Sequence, residues 1–431
     1  MTTPRPSARA HERLIQRLAE QVGVPAAVSW AHAAAVTHHC VRHRLVSAPE
    51  PPNSPDSVRR VLTELASAQP DLAGFLDPQI VPLWTAPLSM DSWAELHDFW
   101  GPGDLLDDGP HRVDGYPLGD AYQALSADAR KSRALCQTPP WIAKLLLELS
   151  LEPATDEVGP QNVRMTDPAC GTGHILLQAF HDARVYRRRG RTPGPHLGRE
   201  ASIERALQTV SGCDLDPYAA LLARYRLLAT SASIRQGRID QLPRTWTAQV
   251  ACADSLLDRN EPLLERGRYH AVVSNPPYIT VADAQQRDLI RKAYPRVAAG
   301  KFSLALPFCE LMFSLATPGG HVAQLTSNSF MKREFGRRFI EEFLPEFDMR
   351  WVIDTSGAYI PGHGTPTVIL VHRVRPPQGD TVITIRGAKG EPFIPEDPAR
   401  GKVWTAIAEA VHTRLAMDRL KDALTSLHDV A

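Results

Sequence analysis

The sequence has no excess of either charge: Lys plus Arg number 48 and Asp plus Glu number 48 over 431 residues. That excludes a chain holding nucleic acid by bulk positive charge, while leaving room for a local basic groove. No Cys-x-x-Cys pair occurs among the six cysteines, so neither a zinc ribbon nor a thioredoxin-type motif is present. Single scattered cysteines fit a reducing cytoplasm without a disulfide framework. No apolar run approaches about 18 residues, so no transmembrane span is expected. The first 21 residues are charged and lack the apolar core of a secretion signal. No internal repeat is found. What remains is ordinary globular composition, with 43% hydrophobic and 22% charged residues. The length allows two or three domains of about 150 residues each. Proline is plentiful, 37 residues, and much of it falls between periodic segments, where it punctuates loops.

From Ser7 to Val46 the spacing of Leu14, Leu18 and Val22 predicts helix, broken into two at Val24-Pro25. His32, His38, His39 and His43 fall here. Without carboxylate or Cys companions they read as a solvated helix face, not a metal site. A Pro-rich turn (Pro49 to Pro55) leads to a third helix over Val58–Ala66, and Leu76 to Asp120 reads as a loop-rich connection. From Val163 the texture changes to short apolar runs alternating with amphipathic stretches, the pattern of βαβ units on a mostly parallel sheet. Seven strands are expected: Val163–Thr166, Thr209–Asp214, Gln249–Ala253, His270–Ser274, His321–Thr326, Trp351–Asp354 and Thr367–Val371. Helices are expected over His174–Arg188, Pro217–Ala232, Leu304–Ala316 and Glu334–Phe343, with a helix-like segment over Val403–His428. The expected architecture is a doubly wound, Rossmann-like α/β sheet behind an N-terminal helical region. Its parts would be a helical region and linker over 1–117, the sheet domain over 118–375 and a short tail over 376–431.

Four motifs carry chemistry. Asp167-Pro-Ala-Cys-Gly-Thr-Gly173 follows a strand and opens a helix. Gly171 and Gly173 permit a tight turn and close approach to a ligand, and the helix N-terminus faces it. A plain strand-to-helix turn is the alternative. The run is neither a Walker loop nor Gly-x-Gly-x-x-Gly, so a dinucleotide is not the natural guest. Gly212-Cys-Asp-Leu-Asp-Pro follows the next strand. Asp214 takes the position where doubly wound folds bond ribose hydroxyls, and Asp216 before Pro217 reads as a helix N-cap. Asp254 follows a third strand and suits either an adenine amino group or a plain N-cap or exposed acid. Ser274-Asn-Pro-Pro-Tyr278 follows an apolar strand directly. Its prolines hold a rigid extended turn at the strand's carboxyl edge, where open α/β sheets place their sites. The Asn275 side-chain carbonyl and the Pro276 backbone carbonyl are two adjacent acceptors suited to an –NH2 group. Tyr278 can stack on a planar ring.

In this order the motifs resemble the S-adenosylmethionine-dependent N6-adenine DNA methyltransferases with a catalytic Asn-Pro-Pro-Tyr. The likeness extends to Gln137–Ser150, Pro307–Leu344 and Gly357–Arg373, covering about Leu118 to Val374. The stretches around Gly119–Pro139 and Asp354–Leu370 look most like the large methyltransferases of phage growth limitation and BREX defence systems. The resemblance implies that Thr138, Asp167, Ala169, Gly171 and Gly173 line the methionine end of the cofactor. It implies Asp214 on the ribose, Asp254 on the adenine amine and Phe308 on the adenine ring. Asn275 and the Pro276 carbonyl would bind the target N6 amine, with Pro277 rigidifying the turn and Tyr278 stacking. The second stacking position falls at or next to Ile360, with Tyr359 the nearest aromatic. No Pro-Cys dipeptide occurs, so the cytosine-C5 route lacks its nucleophile motif, and Cys170 is expected to pack under the cofactor. The implied partner is double-stranded DNA with its adenine flipped out, and no metal or membrane is implied. Arg184–Arg191 and Lys332, Arg333, Arg337 and Arg338 read either as phosphate contacts or as solvated faces. The 57 residues after Val374 are few for a target-recognition domain, so a truncated chain or a separate recognition or defence subunit is expected. A methyltransferase acting on glutamine side chains, and a non-catalytic cofactor-binding subunit, are the competing readings.

Overall fold

The computed structural model describes residues 8–48, 50–101, 114–131, 134–185, 198–331, 333–355, 366–379, 381–386 and 413–416. The N-terminal layer is helical: α1 (Ala8–Val22), α2 (Val24–Arg42), α3 (Pro55–Ala68), α4 (Met90–Trp100), α5 (Tyr116–Leu125) and α6 (Ala127–Lys131). The expected break falls at Gly23, whose φ of 77° ends α1 before Pro25 starts α2. Helix α4 lies inside the stretch read as loop. Its signal was Ser89, whose hydroxyl caps Ser92 N–H, followed by buried Trp93, Leu96 and Trp100 on one face.

Then follow α7 (Pro140–Glu148), α8 (Leu151–Val158), β1 (Met165–Asp167), α9 (His174–Val185), α10 (Arg199–Thr209), β2 (Val210–Asp214), α11 (Pro217–Arg235), β3 (Val250–Cys252) and β4 (Tyr269–Ser274). The C-terminal half runs α12 (Ala284–Ala293), α13 (Ala305–Leu315), β5 (Ala316–Ser327), β6 (Asp348–Asp354), β7 (Thr367–Arg373), β8 (Thr381–Arg386) and β9 (Thr413–Ala416). All seven expected strands are present. The sheet has nine strands in the order β3-β2-β1-β4-β5-β7-β6-β8-β9. Neighbours from β3 to β5 are parallel, and β7 inserts antiparallel between β5 and β6. The added β8 pairs parallel with β6, and β9 closes antiparallel on β8. Strand β8 alternates β-branched residues (Thr-Val-Ile-Thr-Ile), a strand signal inside a stretch read only as Pro-rich. Strand β9 replaces helix over part of the helix-like C-terminal segment, because four residues there complete the ladder of β8. The expected helix over Glu334–Phe343 is present but irregular, a 3-10 turn over Glu334–Gly336 leading into a π-helical turn over Phe339–Phe343.

Successive strand residues enter two separate cores. Ala271 and Val273 of β4, Ala323 and Leu325 of β5, and Ile369 and Val371 of β7 join α7, α9, α11 and the N-terminal helices. Val272, Val322, Val368 and Leu370 join α12, α13 and residues 330–349. The period of two along each strand thus buries both faces, as a doubly wound sheet requires.

The N-terminal histidines correct the expectation of a solvated face. His32 and His39 are buried, and His38 nearly so. His32 Nδ1 lies 2.7 Å from Tyr218 Oη and His39 Nδ1 lies 2.7 Å from Tyr225 Oη. Both pairs are seven residues apart on each helix and run in the same sense, so α2 lies parallel to α11 with its register pinned twice. Burial pushes the His32 imidazole down to about 4 and that of His39 to about 3, so both stay neutral.

Among the described residues no helix is long and apolar enough to cross a membrane. Trp30 on α2 is fully buried and donates from Nε1 to Ala86 O at 2.7 Å. Trp30→Ala is expected to cost about 3–5 kcal/mol, by loss of the indole and the cavity left behind. A denaturant titration would show it as a lower midpoint at unchanged slope.

Candidate active site

Parallel strands end at one edge, and β1, β2 and β4 end in Asp167, Asp214 and Ser274. Register aligns Asp167 with Gly212 and Asp214 with Cys252. The loops leaving these ends surround a cavity of about 620 Å³, the size of a small-molecule site. Its wall includes Thr138, Asp167, Ala169, Cys170, Gly171, Asp214, Asp254, Asn275, Pro277 and Phe308. Four separate sequence motifs and the Gln137–Thr138 segment therefore converge.

The glycine turn is built from backbone constraints. Gly171 has φ +53° and Gly173 φ +89°. The Gly171 N–H donates to Asp214 Oδ2 at 2.7 Å, locking the turn onto the end of β2. Gly173 lies outside the cavity wall. A Cβ on it would sit 3.1 Å from Ala223 Cβ, so this glycine gives α11 room to approach the turn. Gly212, inside β2, leaves room for Cys170: an added Cβ would lie 3.0 Å from Cys170 Cβ and 2.7 Å from Leu176 Cδ1.

Asp167 is buried and accepts Ala169 N–H at 3.0 Å and the Ser274 hydroxyl at 2.7 Å on one oxygen. Burial pushes its carboxyl up to about 7. The two hydrogen bonds oppose that shift and the nearby Asp214 adds to it. Asp214 accepts Asp216 N–H at 2.8 Å through its other oxygen. Asp216 caps α11 by accepting Tyr218 and Ala219 N–H, as expected, and accepts the Tyr122 hydroxyl at 2.8 Å. Asp254 accepts the Leu256 and Leu257 N–H groups and also lines the cavity. Burial, reinforced by Asp214 and Asp167, holds the Cys170 thiol well above its ordinary range. It is therefore a packed thiol and not a thiolate nucleophile.

The Asn-Pro-Pro-Tyr turn leaves β4 at the cavity's side. Asn275 Nδ2 donates to Thr138 Oγ1 at 3.2 Å, and Asn275 Oδ1 accepts the Tyr278 hydroxyl. Thr138 is fixed in turn, its carbonyl accepting the Tyr116 hydroxyl. Pro276 is buried, and neither it nor Tyr278 is part of the cavity wall. Tyr359 and Ile360 lie outside the described residues, as do Lys332 and most of Arg184–Arg191. Sequence reasoning missed the wall formed by Ile279–Asp283, Gln286 and Ile290, and Leu135 facing it. Nothing in their spacing marks them: residues 279–290 reach the cavity by the return of the chain after Tyr278, and Leu135 by the segment that leads into Thr138.

A second, polar concavity of about 740 Å³ opens at the opposite edge of the sheet, with Arg164, Arg205, Arg266, Arg268 and His270 on its wall. There Arg205 donates to Ala183 and Arg184 carbonyls and Arg268 to Pro262 O, which ties both to backbone.

Residues 208–360 match the family described as Eco57I restriction-modification methylase. The fold is that of restriction-modification enzymes: it is similar to the type IIL enzyme MmeI in complex with DNA (TM-score 0.58, 16% identity, 90% of this chain and 59% of that one). It is also similar to the type IIG restriction endonuclease BpuSI (TM-score 0.57, 13% identity, 99% and 47%). A third likeness is to a type I restriction-modification methyltransferase subunit from Streptococcus thermophilus (TM-score 0.50, 16% identity, 98% and 79%). The chain is 36% identical over 466 residues to the adenine-specific methyltransferase PglX of Streptomyces coelicolor (strain ATCC BAA-471 / A3(2) / M145). That match takes in 89% of this chain and 38% of PglX, so the chain spans well under half of that relative.

The buried carboxyl gives a pH test. The folded-state pKa of Asp167, about 7, lies above its ordinary 3.8. Its stabilising contribution is then fully present below the unfolded value and is lost as pH rises through 7. Asp167→Asn keeps a neutral acceptor in place. Its unfolding free energy is expected to match wild type near pH 4 and to exceed it at pH 8 by up to about 4 kcal/mol. Parallel unfolding curves at the two pH values would check this.

Proposed function

We propose that this chain transfers a methyl group from S-adenosylmethionine to N6 of adenine in DNA, within a restriction-modification or phage-defence system. One observation carries the reading: Asn275 and Pro277 stand in the wall of the same cavity as Asp167, Asp214, Asp254 and Phe308. An amine-binding turn and a nucleoside-sized, acid-lined cavity are thus a single site. The similarity to the Eco57I methylase family and to PglX supports the same reaction.

The residues present fit the cofactor. Asp214 is held at the rim by two backbone N–H groups, each on a different oxygen, which fixes its carboxylate at the position where ribose hydroxyls would bind. Asp254 would accept an adenine amino group, and the apolar Phe308, Leu256, Ile290 and Leu304 of the same wall would pack on the purine. The Gly171 turn leaves room beside Asp167 for the amino-acid end. When bound, the cofactor supplies an electrophilic methyl on a sulfonium.

The chain's own residues supply positioning and electrostatics. Adenine N6 is a weak nucleophile because its lone pair is delocalised into the ring. The Asn275 and Pro276 carbonyls would each accept one N6–H and draw the nitrogen toward tetrahedral geometry. The Tyr278 hydroxyl occupies one lone pair of Asn275 Oδ1, which leaves the second for the amine. Thr138 fixes the amide plane from the other side. The target base reaches this turn by leaving the duplex, which costs a few kcal/mol and is offset by the pocket. The catalytic unit takes in residues 118–375, with Tyr359 as the second stacking candidate. The N-terminal helices share one of its two cores. A separate recognition or defence subunit is a candidate partner, and the setting is the cytoplasm.

Labelled methyl transferred to duplex DNA and not to protein is the expected result. Label confined to protein would favour a glutamine methyltransferase and sink this reading. Asn275→Ala is expected to lower the transfer rate by about 10²-fold or more while S-adenosylhomocysteine still binds. Full activity in purified Asn275→Ala would refute the catalytic assignment.

A further inference from the structure

Arg226 is the only charged side chain among the largest fully buried ones in the described residues, and it lies on α11, away from the cavity. Its Nη1 donates to Thr172 O at 2.7 Å and lies 3.3 Å from Thr172 Oγ1, while Nε donates to Asp114 O at 2.9 Å. Its guanidinium also sits over the Tyr116 ring, 5.7 Å from the centroid. Thr172 is the middle residue of the glycine turn. On one side of it Gly171 forms the cavity wall and bonds Asp214. On the other, Gly173 abuts Ala223, three residues before Arg226 on α11 and so on the same helix face. The Thr172 hydroxyl donates to Gln137 Oε1 at 3.0 Å, beside Thr138.

We propose that Arg226 is a positioning residue for the cofactor site, acting through the Thr172 carbonyl to hold the glycine turn and through the Asp114 carbonyl to clamp the N-terminal layer to it. The proposal rests on the methyl-transfer reading above and adds to it a residue outside the motifs. The physical case is one of directionality. A buried guanidinium loses its hydration, and an apolar side chain of similar volume is often as stable in such a place. What an apolar residue cannot supply is a planar donor fork that fixes two carbonyls at once. Those carbonyls belong to segments far apart in sequence, Asp114 and Thr172, so a single side chain sets their relative position. A shift of the turn would move the Gly171 N–H off Asp214 and change the cavity wall without touching Asn275.

The test uses the whole chain, with S-adenosylhomocysteine as the calorimetric probe and methyl transfer to duplex DNA as the kinetic one. Arg226→Met is expected to raise the probe's Kd and the cofactor KM about tenfold, with kcat changed less than about threefold. Arg226→Lys keeps the charge but cannot reach both carbonyls, and is expected to raise Kd about threefold. The melting temperature and circular dichroism identify folded variants. Should Arg226→Met fail to fold, Arg226→Lys decides on the same measurements. A wild-type Kd in a folded variant overturns the proposal, even if its melting temperature drops, because that is a purely structural role. Loss of kcat at unchanged Kd overturns it as well. Failure of the wild-type chain to bind the probe at all would instead overturn the methyl-transfer reading, and this proposal with it.

Discussion

Strand β1 is three residues long and paired in parallel on both sides, with β2 at Asp167–Gly212 and with β4 at Thr166–Val272. Everything chemical in the molecule depends on this double pairing. Parallel neighbours end at the same edge, so the loops after β1, β2 and β4 share one space. Two hydrogen bonds then tie the three loops together: Gly171 N–H to Asp214, and the Ser274 hydroxyl to Asp167. Without the register, the glycine turn, the ribose-position acid and the Asn-Pro-Pro-Tyr turn would be unrelated motifs. With it, they are walls of one cavity.

The arrangement places two carboxylates close together with little water, which is electrostatically costly. The cost is limited by division of roles. Asp214 stays at the cavity surface with one backbone donor on each oxygen. Asp167 takes the buried position, where burial raises its pKa and favours the neutral carboxyl. The neighbouring Cys170 stays a thiol for the same reason. The turn as a whole is a rigid receptor with fixed dipoles, not a set of titrating catalysts. That suits a reaction in which the methyl donor carries the reactivity and the protein supplies geometry.

Much of this was legible in the chain. The seven central strands, the α1–α2 break and the Asp216 cap follow from period-two apolar runs, Gly-Pro punctuation and cap chemistry, all of which are local. The cavity residues Thr138, Asp167, Ala169, Cys170, Gly171, Asp214, Asp254 and Phe308 also carry recognisable local context. Gly173 belongs to the same motif and yet faces α11, because a motif records which residues occur and not which neighbour each one meets. The histidines of α2 failed for a related reason. An isolated His on a helix reads as polar surface, and only the parallel packing of α11 reveals Tyr218 and Tyr225 waiting at matching positions.

What the sequence determined alone, then, is the set of elements and the chemical vocabulary of the site, since both rest on spacing within a few residues. The tertiary structure decided which pieces meet. It placed Ile279–Ile290 across from the glycine turn and set Arg226 between Thr172 and Asp114. It also let β8 and β9 extend the sheet beyond its seven expected strands. Those outcomes join segments tens to more than a hundred residues apart, and long-range pairing is specified by the global fit of two cores around one sheet, which no local pattern encodes.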